Sequence, residues 1–290
     1  MKVAELLLDC NNDHGEGVFW DHRDGKVRWT DMFASKIWSY DPKTQLHQVQ
    51  DMPSPVCSFA PRSQGGFVVA FNDRISLFDL QHGELECLHW FEPSNPHSRL
   101  NDGKVDREGN FVVGGMNEGT FEADSSVIHL SKNHKVTTLI ENVACANGIC
   151  FHPDDNRMYF ADTPNGEIIE YQYDAKKAIA TTTRTLMRFD AEPGLPDGSC
   201  VDSDGGVWNA EWDGGRVVRI SPQGVIDRVI EIPVDKPTCC AFGGEHLDTL
   251  YITTSKGGAP QDAVASEHGI GGLFSVKPGF QGVIDQLYGG

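Results

Sequence analysis

One tight turn recurs six times along the chain, at Asp24-Gly25, Gly65-Gly66, Glu108-Gly109, Asp154-Asp155, Gly205-Gly206 and Gly244-Glu245. The turns lie roughly 40–50 residues apart, a period that belongs to blades rather than to helical repeats. After each comes a β-rich stretch: Val27–Thr30, Phe67–Phe71, Asn110–Gly114, Met158–Ala161, Val207–Ala210 and Thr249–Thr253. A further strand follows at Lys36–Tyr40, Arg74–Phe78, Ser126–Leu130, Glu167–Tyr171, Arg216–Ile220 and Gly272–Val276. Helical periodicity is nearly absent. Six repeats of about four strands predict an all-β fold, a six-bladed β-propeller with four antiparallel strands per blade. Val3–Leu8 is expected to supply the outer strand of the last blade, closing the ring and leaving no open edge. No break in composition divides the chain, so a single domain over 1–290 is expected.

Composition limits the partners. The chain carries 42 acids against 24 bases, a formal charge of −18. That field repels a phosphate backbone, so nucleic acid is excluded as a partner. No apolar run is long enough to span a bilayer, which argues against a membrane. The first twelve residues hold one Lys and a very short apolar run, unlike a secretory leader. The eight Cys include no C-x-x-C pair, and they read as buried free thiols of a protein in a reducing cytoplasm.

The repeat also predicts where chemistry gathers. In a propeller the innermost strand of each blade lines the central channel. About eight residues before the turn, four repeats place an acid or amide followed by Gly: Glu16-Gly17, Asn101-Asp102-Gly103, Asn147-Gly148 and Asp197-Gly198. The other two place small or apolar residues there, near Val56-Cys57 and Cys239-Cys240. One phase in different blades means convergence on one axis, so Glu16, Asn101, Asp102, Asn147 and Asp197 are expected to meet. Carboxylates brought together repel unless a cation compensates. An all-oxygen donor set favours one hard divalent ion: Ca²⁺ leads, Mg²⁺ and Mn²⁺ follow, and Zn²⁺ and Fe²⁺ also accept such ligands.

At these same residues the sequence resembles the senescence marker protein/gluconolactonase family, which includes regucalcin and the bacterial sugar lactonases. The resemblance rests on Gly15-Glu16-Gly17 with Trp20, on Arg99 through Asp106, on Asn147-Gly148, and on Pro196-Asp197-Gly198 with Asp202. It continues through Gly215 to Arg219 and Cys240 to Gly244. It implies a six-bladed propeller and metal-dependent hydrolysis of a sugar (aldono-) lactone. By position it makes Glu16, Asn147 and Asp197 the metal ligands, with Asp197 also the catalytic acid/base. It makes Arg99 and Asn101 the substrate-binding pair, with Glu118 beside them in a loop that departs from the family pattern. A lactone is an internal ester, so water activated by a cation suffices and no covalent nucleophile is needed. No G-x-S-x-G elbow occurs. The partner implied is a small sugar lactone, acted on by a monomer or small homo-oligomer. Two other readings share the site: a non-catalytic Ca²⁺-binding or interaction propeller, and an esterase or organophosphate hydrolase.

Overall fold

The computed structural model describes residues 2–153, 156–257 and 268–290. The described residues form six sheets, each built on four antiparallel strands, one of them with a fifth, parallel strand added. They fall into two compact units of three sheets each.

The first unit comprises Met1–Pro55 and Phe189–Ile284. It contains the first sheet (Gly15–Asp21, Lys26–Asp31, Lys36–Asp41, Leu46–Asp51) and the fifth (Leu195–Val201, Val207–Trp212, Arg216–Ile220, Ile226–Glu231). Its sixth sheet takes Pro237–Gly243, Thr249–Thr254 and Leu273–Val276 from the C-terminal part and Glu5–Leu8 as the outer strand. The N-terminal segment thus completes the last sheet, as expected, but it is split. Lys2–Val3 instead pairs in parallel with Ile226–Glu231, and the buried Ala4 sits between the two, its N–H bonded to the Glu231 carbonyl at 2.9 Å. The last strand of the C-terminal part begins at Leu273 rather than Gly272, whose N–H is taken by the carbonyl of Gly269 in a turn.

The second unit comprises Val56–Arg188 and Asp285–Gly290. Its second sheet is Val56–Pro61, Phe67–Phe71, Arg74–Asp79 and Gly83–Trp90. Its third is Ser98–Val105, Phe111–Asn117, Ser125–Leu130 and Val136–Val143, and its fourth Ala146–Phe151, Arg157–Asp162, Glu167–Asp174 and Ile179–Arg188.

Burial falls along each meander. Phe67–Phe71 and Phe111–Asn117, second strands, are buried at every residue, whereas Leu46–Asp51 and Gly83–Trp90, fourth strands, are largely exposed. The second strands therefore read as continuous apolar runs, as strands covered on both faces must. Trp29 and Trp208, both 0% exposed, anchor two clusters in the first unit, and Phe151, Phe160 and Tyr171 one in the second. Truncating a side chain like Trp208 to Ala typically costs about 3–5 kcal/mol.

The recurring turn has a chemical basis in three sheets. Asp21 ends the first strand of sheet one, and Asp106 and Asp202 directly follow those of sheets three and five; all three are 0% exposed. Each Oδ1 accepts backbone N–H groups of the turn: Arg23 at 3.1 Å, Glu108 and Asn110 at 2.9 Å, and Asp204 and Gly206 at 3.0 and 2.9 Å. Gly25, Gly109 and Gly205 take positive φ there, which an L side chain resists. The charge is compensated by Arg28 on Asp21 (2.7 Å) and by Arg219 on Asp202 (2.6 Å), while Asp106 accepts the Tyr173 hydroxyl at 2.7 Å. The fourth turn, Asp154-Asp155, lies outside the described residues. Of the eight cysteines, all free, six are buried; Cys10 is half-buried, and Cys87 stands exposed on an outer strand against the expectation of burial.

Candidate active site

The phase picked out from the sequence is a bulge. All six first strands slip register against their second strand at one place: Val56/Ser58, Leu100/Gly103, Asn147/Cys150, Pro196/Ser199, Pro237/Cys239 and Glu16/Phe19. A bulge sets two residues against one and re-aims the side chains beside it. Glu16, Asn101, Asp102, Asn147 and Asp197 all lie in or at these bulges. Gly17 and Gly148, next after Glu16 and Asn147, take φ of 58° and 63°, which only Gly adopts without strain.

In the first unit the site residues are Glu16 and Asp197, both 6% exposed. The Glu16 carboxylate accepts the N–H of Gly17, folding the side chain back over its own bulge. The strand before it has no room for side chains: a Cβ on Gly15 would sit 2.8 Å from the carbonyl oxygen of Thr254. The Asp197 bulge is stitched by Asn209, whose Nδ2 donates to the Asp197 carbonyl (2.8 Å) and to Ser199 Oγ (2.9 Å). Asn209 is fully buried, and its Oδ1 finds no hydrogen-bond donor among the described residues. His14, two residues before Glu16, meets Ser255 Oγ through Nδ1 at 2.9 Å and packs against Phe33 and Trp212.

In the second unit Arg99, Asn101, Glu118 and Asn147 are one hydrogen-bonded set. Arg99 donates from Nε to Glu118 (3.0 Å) and from Nη1 to the Leu100 carbonyl (2.9 Å) and to Asn101 Oδ1 (2.8 Å). Asn101 Nδ2 donates to the Ala146 carbonyl (2.8 Å) and to Asn147 Oδ1 (3.1 Å). Asn147 Nδ2 donates in turn to Thr163 Oγ1 (2.8 Å). A guanidinium can only donate and a carbonyl can only accept, so the ends of this chain fix which atom of each amide is oxygen. Both amide hydrogens of Asn101 are committed to protein acceptors, which leaves it an acceptor toward anything else. Glu118, 58% exposed at its side chain, closes the set from beyond the end of a strand. The Cys57 thiol hydrogen-bonds Arg99, but burial outweighs the nearby cation and pushes it up to about 11, so it stays protonated.

Asp102 is buried in the bulge of the third sheet. Its Oδ2 accepts the N–H of Ile149 at 2.8 Å, tying the third sheet to the fourth, and burial raises its pKa. Glu211, in the second strand of the fifth sheet, is fully buried and ion-paired with Arg216 at 2.9 Å. Trp208 donates to Asp202 from within the core, whereas Trp90 and Phe121 are exposed. Sequence reasoning missed Thr163 and two strand-end acids, Asp31 and Asp162. Asp31 accepts the N–H groups of Asp13 (3.1 Å) and His14 (3.0 Å), and Asp162 those of Ala144 (3.2 Å) and Cys145 (2.8 Å). The signal available was an acid closing the second strand in Trp29-Thr30-Asp31 and Phe160-Ala161-Asp162.

Donor chemistry tests whether a cation suits these residues. Two buried carboxylates and an amide oxygen of fixed orientation are hard donors, the kind that hold Ca²⁺, Mg²⁺ or Mn²⁺. The orphaned Asn209 Oδ1 adds one more buried acceptor beside Asp197. No cluster of three or more His, Cys, Asp or Glu suited to a metal occurs among the described residues.

The fold defines a class, the six-bladed β-propellers, here with oxygen-bearing side chains at the bulges of first strands. The crystal structure of regucalcin, a calcium-binding protein from Agrobacterium tumefaciens, matches with a TM-score of 0.93 and 26% identity, covering 99% of this chain and 97% of that one. The family described as "SMP-30/Gluconolactonase/LRE-like region" matches residues 14–256, and the chain belongs to it. The 6-deoxy-6-sulfogluconolactonase of Pseudomonas putida is 34% identical over 95% of both chains. The L-arabinolactonase of Azospirillum brasilense is 34% identical over 99% of this chain and 96% of its own. The chain is accordingly a hydrolase of the sugar-lactonase family.

Proposed function

We propose that this enzyme opens a sugar lactone to the aldonic acid with the help of one divalent cation, Ca²⁺ first among the candidates. The observation that carries the reading is the placement of Glu16, Asn147 and Asp197 at the same bulge of three first strands. Those three residues would hold the ion. When bound, it supplies Lewis acidity toward the lactone carbonyl and toward water. Asp197 accepts the proton of the attacking water and returns it to the ring oxygen as the ester bond breaks. Arg99, held by Glu118 and Asn101, donates to substrate hydroxyls, and the remaining lone pair of Asn101 Oδ1 accepts from one. We also propose that residues 1–290 act as one domain, as a monomer or small homo-oligomer in the cytoplasm, without nucleic-acid or membrane partners. The charge of −18, the eight free thiols and the absence, among the described residues, of a helix long and apolar enough to cross a membrane support that setting.

The test is a pH-indicator assay on a panel of aldonolactones, run before and after chelation, with single metals added back. Turnover that chelation removes and one metal restores is expected, and Asp197→Asn should abolish it while the melting transition survives. Normal turnover by that variant removes Asp197 from the chemistry. Saturable metal binding without turnover of any lactone makes the protein a binding propeller instead.

A further inference from the structure

Each proposed ligand is preceded by one residue that pairs across the sheet with the end of the second strand. That partner is acidic in all three cases: Gly15 faces Asp31, Ala146 faces Asp162, and Pro196 faces Glu211. In the three other sheets the corresponding pairs are Leu100 with Gly115, Val56 with Phe71, and Pro237 with Thr254, none acidic. The acids therefore follow the proposed ligands, not the fold.

What they touch is equally regular. Asp31 grips the N–H groups two and three residues before Glu16, and Asp162 those two and three residues before Asn147. In both, Oδ1 takes the nearer N–H, while Oδ2 takes the farther one together with an Asn side chain, Asn12 at 3.3 Å and Asn165 at 3.1 Å. Glu211 accepts the N–H of Gly194, three residues before Asp197, and is backed by Arg216. Each carboxylate bridges the start of a ligand-bearing strand to the strand beside it, just upstream of the bulge. Charge-assisted bonds to backbone N–H groups are the stronger kind, and two from one carboxylate leave the backbone little freedom.

We infer that Asp31, Asp162 and Glu211 are positioning residues, one per ligand, that set the backbone from which Glu16, Asn147 and Asp197 reach the cation. The inference rests on the metal reading above. Groups that orient ligands without touching the ion typically contribute about 10–100-fold in affinity.

The experiment titrates Ca²⁺ and Mn²⁺ calorimetrically into the chelated full chain. It compares the wild type with Asp31→Asn, Asp162→Asn, Glu211→Gln, the ligand variant Glu16→Gln, and Asp106→Asn. Asp106 is a buried carboxylate just past the far end of a first strand. Each amide variant keeps one acceptor oxygen and replaces the other with a donor that confronts an N–H. The Kd is expected to rise about tenfold or more in each of the three, and to stay within about twofold in Asp106→Asn, whose melting temperature falls. Hydrogen exchange, measured without metal, should quicken at His14, Cys145 and Gly194 in the matching variants. If all three bind within twofold of wild type while Glu16→Gln abolishes binding, the inference is overturned and the metal reading stands. If the wild type shows no saturable binding, both are overturned.

Discussion

Asn101 distinguishes two ways of building the substrate side of this site, and Asn101→Asp separates them. The substitution keeps shape and keeps an acceptor for Arg99 and for a substrate hydroxyl. It removes both donors, so the contacts to the Ala146 carbonyl (2.8 Å) and Asn147 Oδ1 (3.1 Å) become oxygen against oxygen. Each lost bond is worth about 1 kcal/mol net, and each stranded buried acceptor costs about 1–3 kcal/mol. The new carboxylate recovers about 0.2–1 kcal/mol by pairing with Arg99. Allowing for partial relaxation, about 2–4 kcal/mol of placement energy is lost at Asn147, or roughly 30- to 1,000-fold if it is all felt in the transition state. The assay is initial rates on the best aldonolactone, with a melting curve to confirm folding. A kcat/KM within about threefold of wild type would refute the reasoning. It would mean that Asn101 serves the sugar as an acceptor and that its bond to Asn147 does nothing for catalysis.

Two further expectations follow from the same geometry and from burial. Thr163→Val strips the acceptor from Asn147 Nδ2 and should cost about 1–2 kcal/mol of stability together with activity, while Thr163→Ser restores both; equal behaviour of Val and Ser by melting and kinetics would remove Thr163 from the chain. His129 is 3% exposed, and burial holds its pKa below 6.5, with Asp106 opposing more weakly. The unfolded chain then binds the extra proton, so stability should fall as pH drops through 6.5 toward the lowered value. Melting temperatures at about pH 7 and about pH 5 should diverge less in His129→Asn than in wild type, and equal slopes would refute the assignment.

The fold was legible because turns and strands are local. The described turns carry Gly at positive φ, three of them beside an Asp whose carboxylate bonds the turn, and the second strands are apolar runs that any window detects. The candidate ligands were legible for a related reason: a bulge keeps its place in a repeat, so one phase marks one location. The acids Asp31 and Asp162 were not, because their partners lie 17 to 18 residues away across a strand pair. Their meaning appears only once the register is known. Nor was the split at Ala4, where a single buried residue decides that Val3 and Glu5 serve different sheets. Glu118 lies in a loop that departs from the family pattern, and its pairing with Arg99 appears only in the structure.

The acids also show why stability alone does not account for this region. Surface and rim carboxylates such as Glu84, paired with Arg74, have lowered pKa values and so favour the folded state at neutral pH. Burial raises the pKa of Asp162 against its backbone donors, and that of Glu211 against Arg216. For an acid so raised, the folded chain holds the proton longer than the unfolded one. Stability is lost as pH rises from the unfolded value to the folded one, and the loss persists at neutral pH. Ionising either residue therefore weakens the fold. Each nevertheless sits at the one cross-strand position that precedes a candidate ligand. A carboxylate whose ionisation costs stability, yet which binds the backbone leading into a bulge, fits the positioning role inferred above.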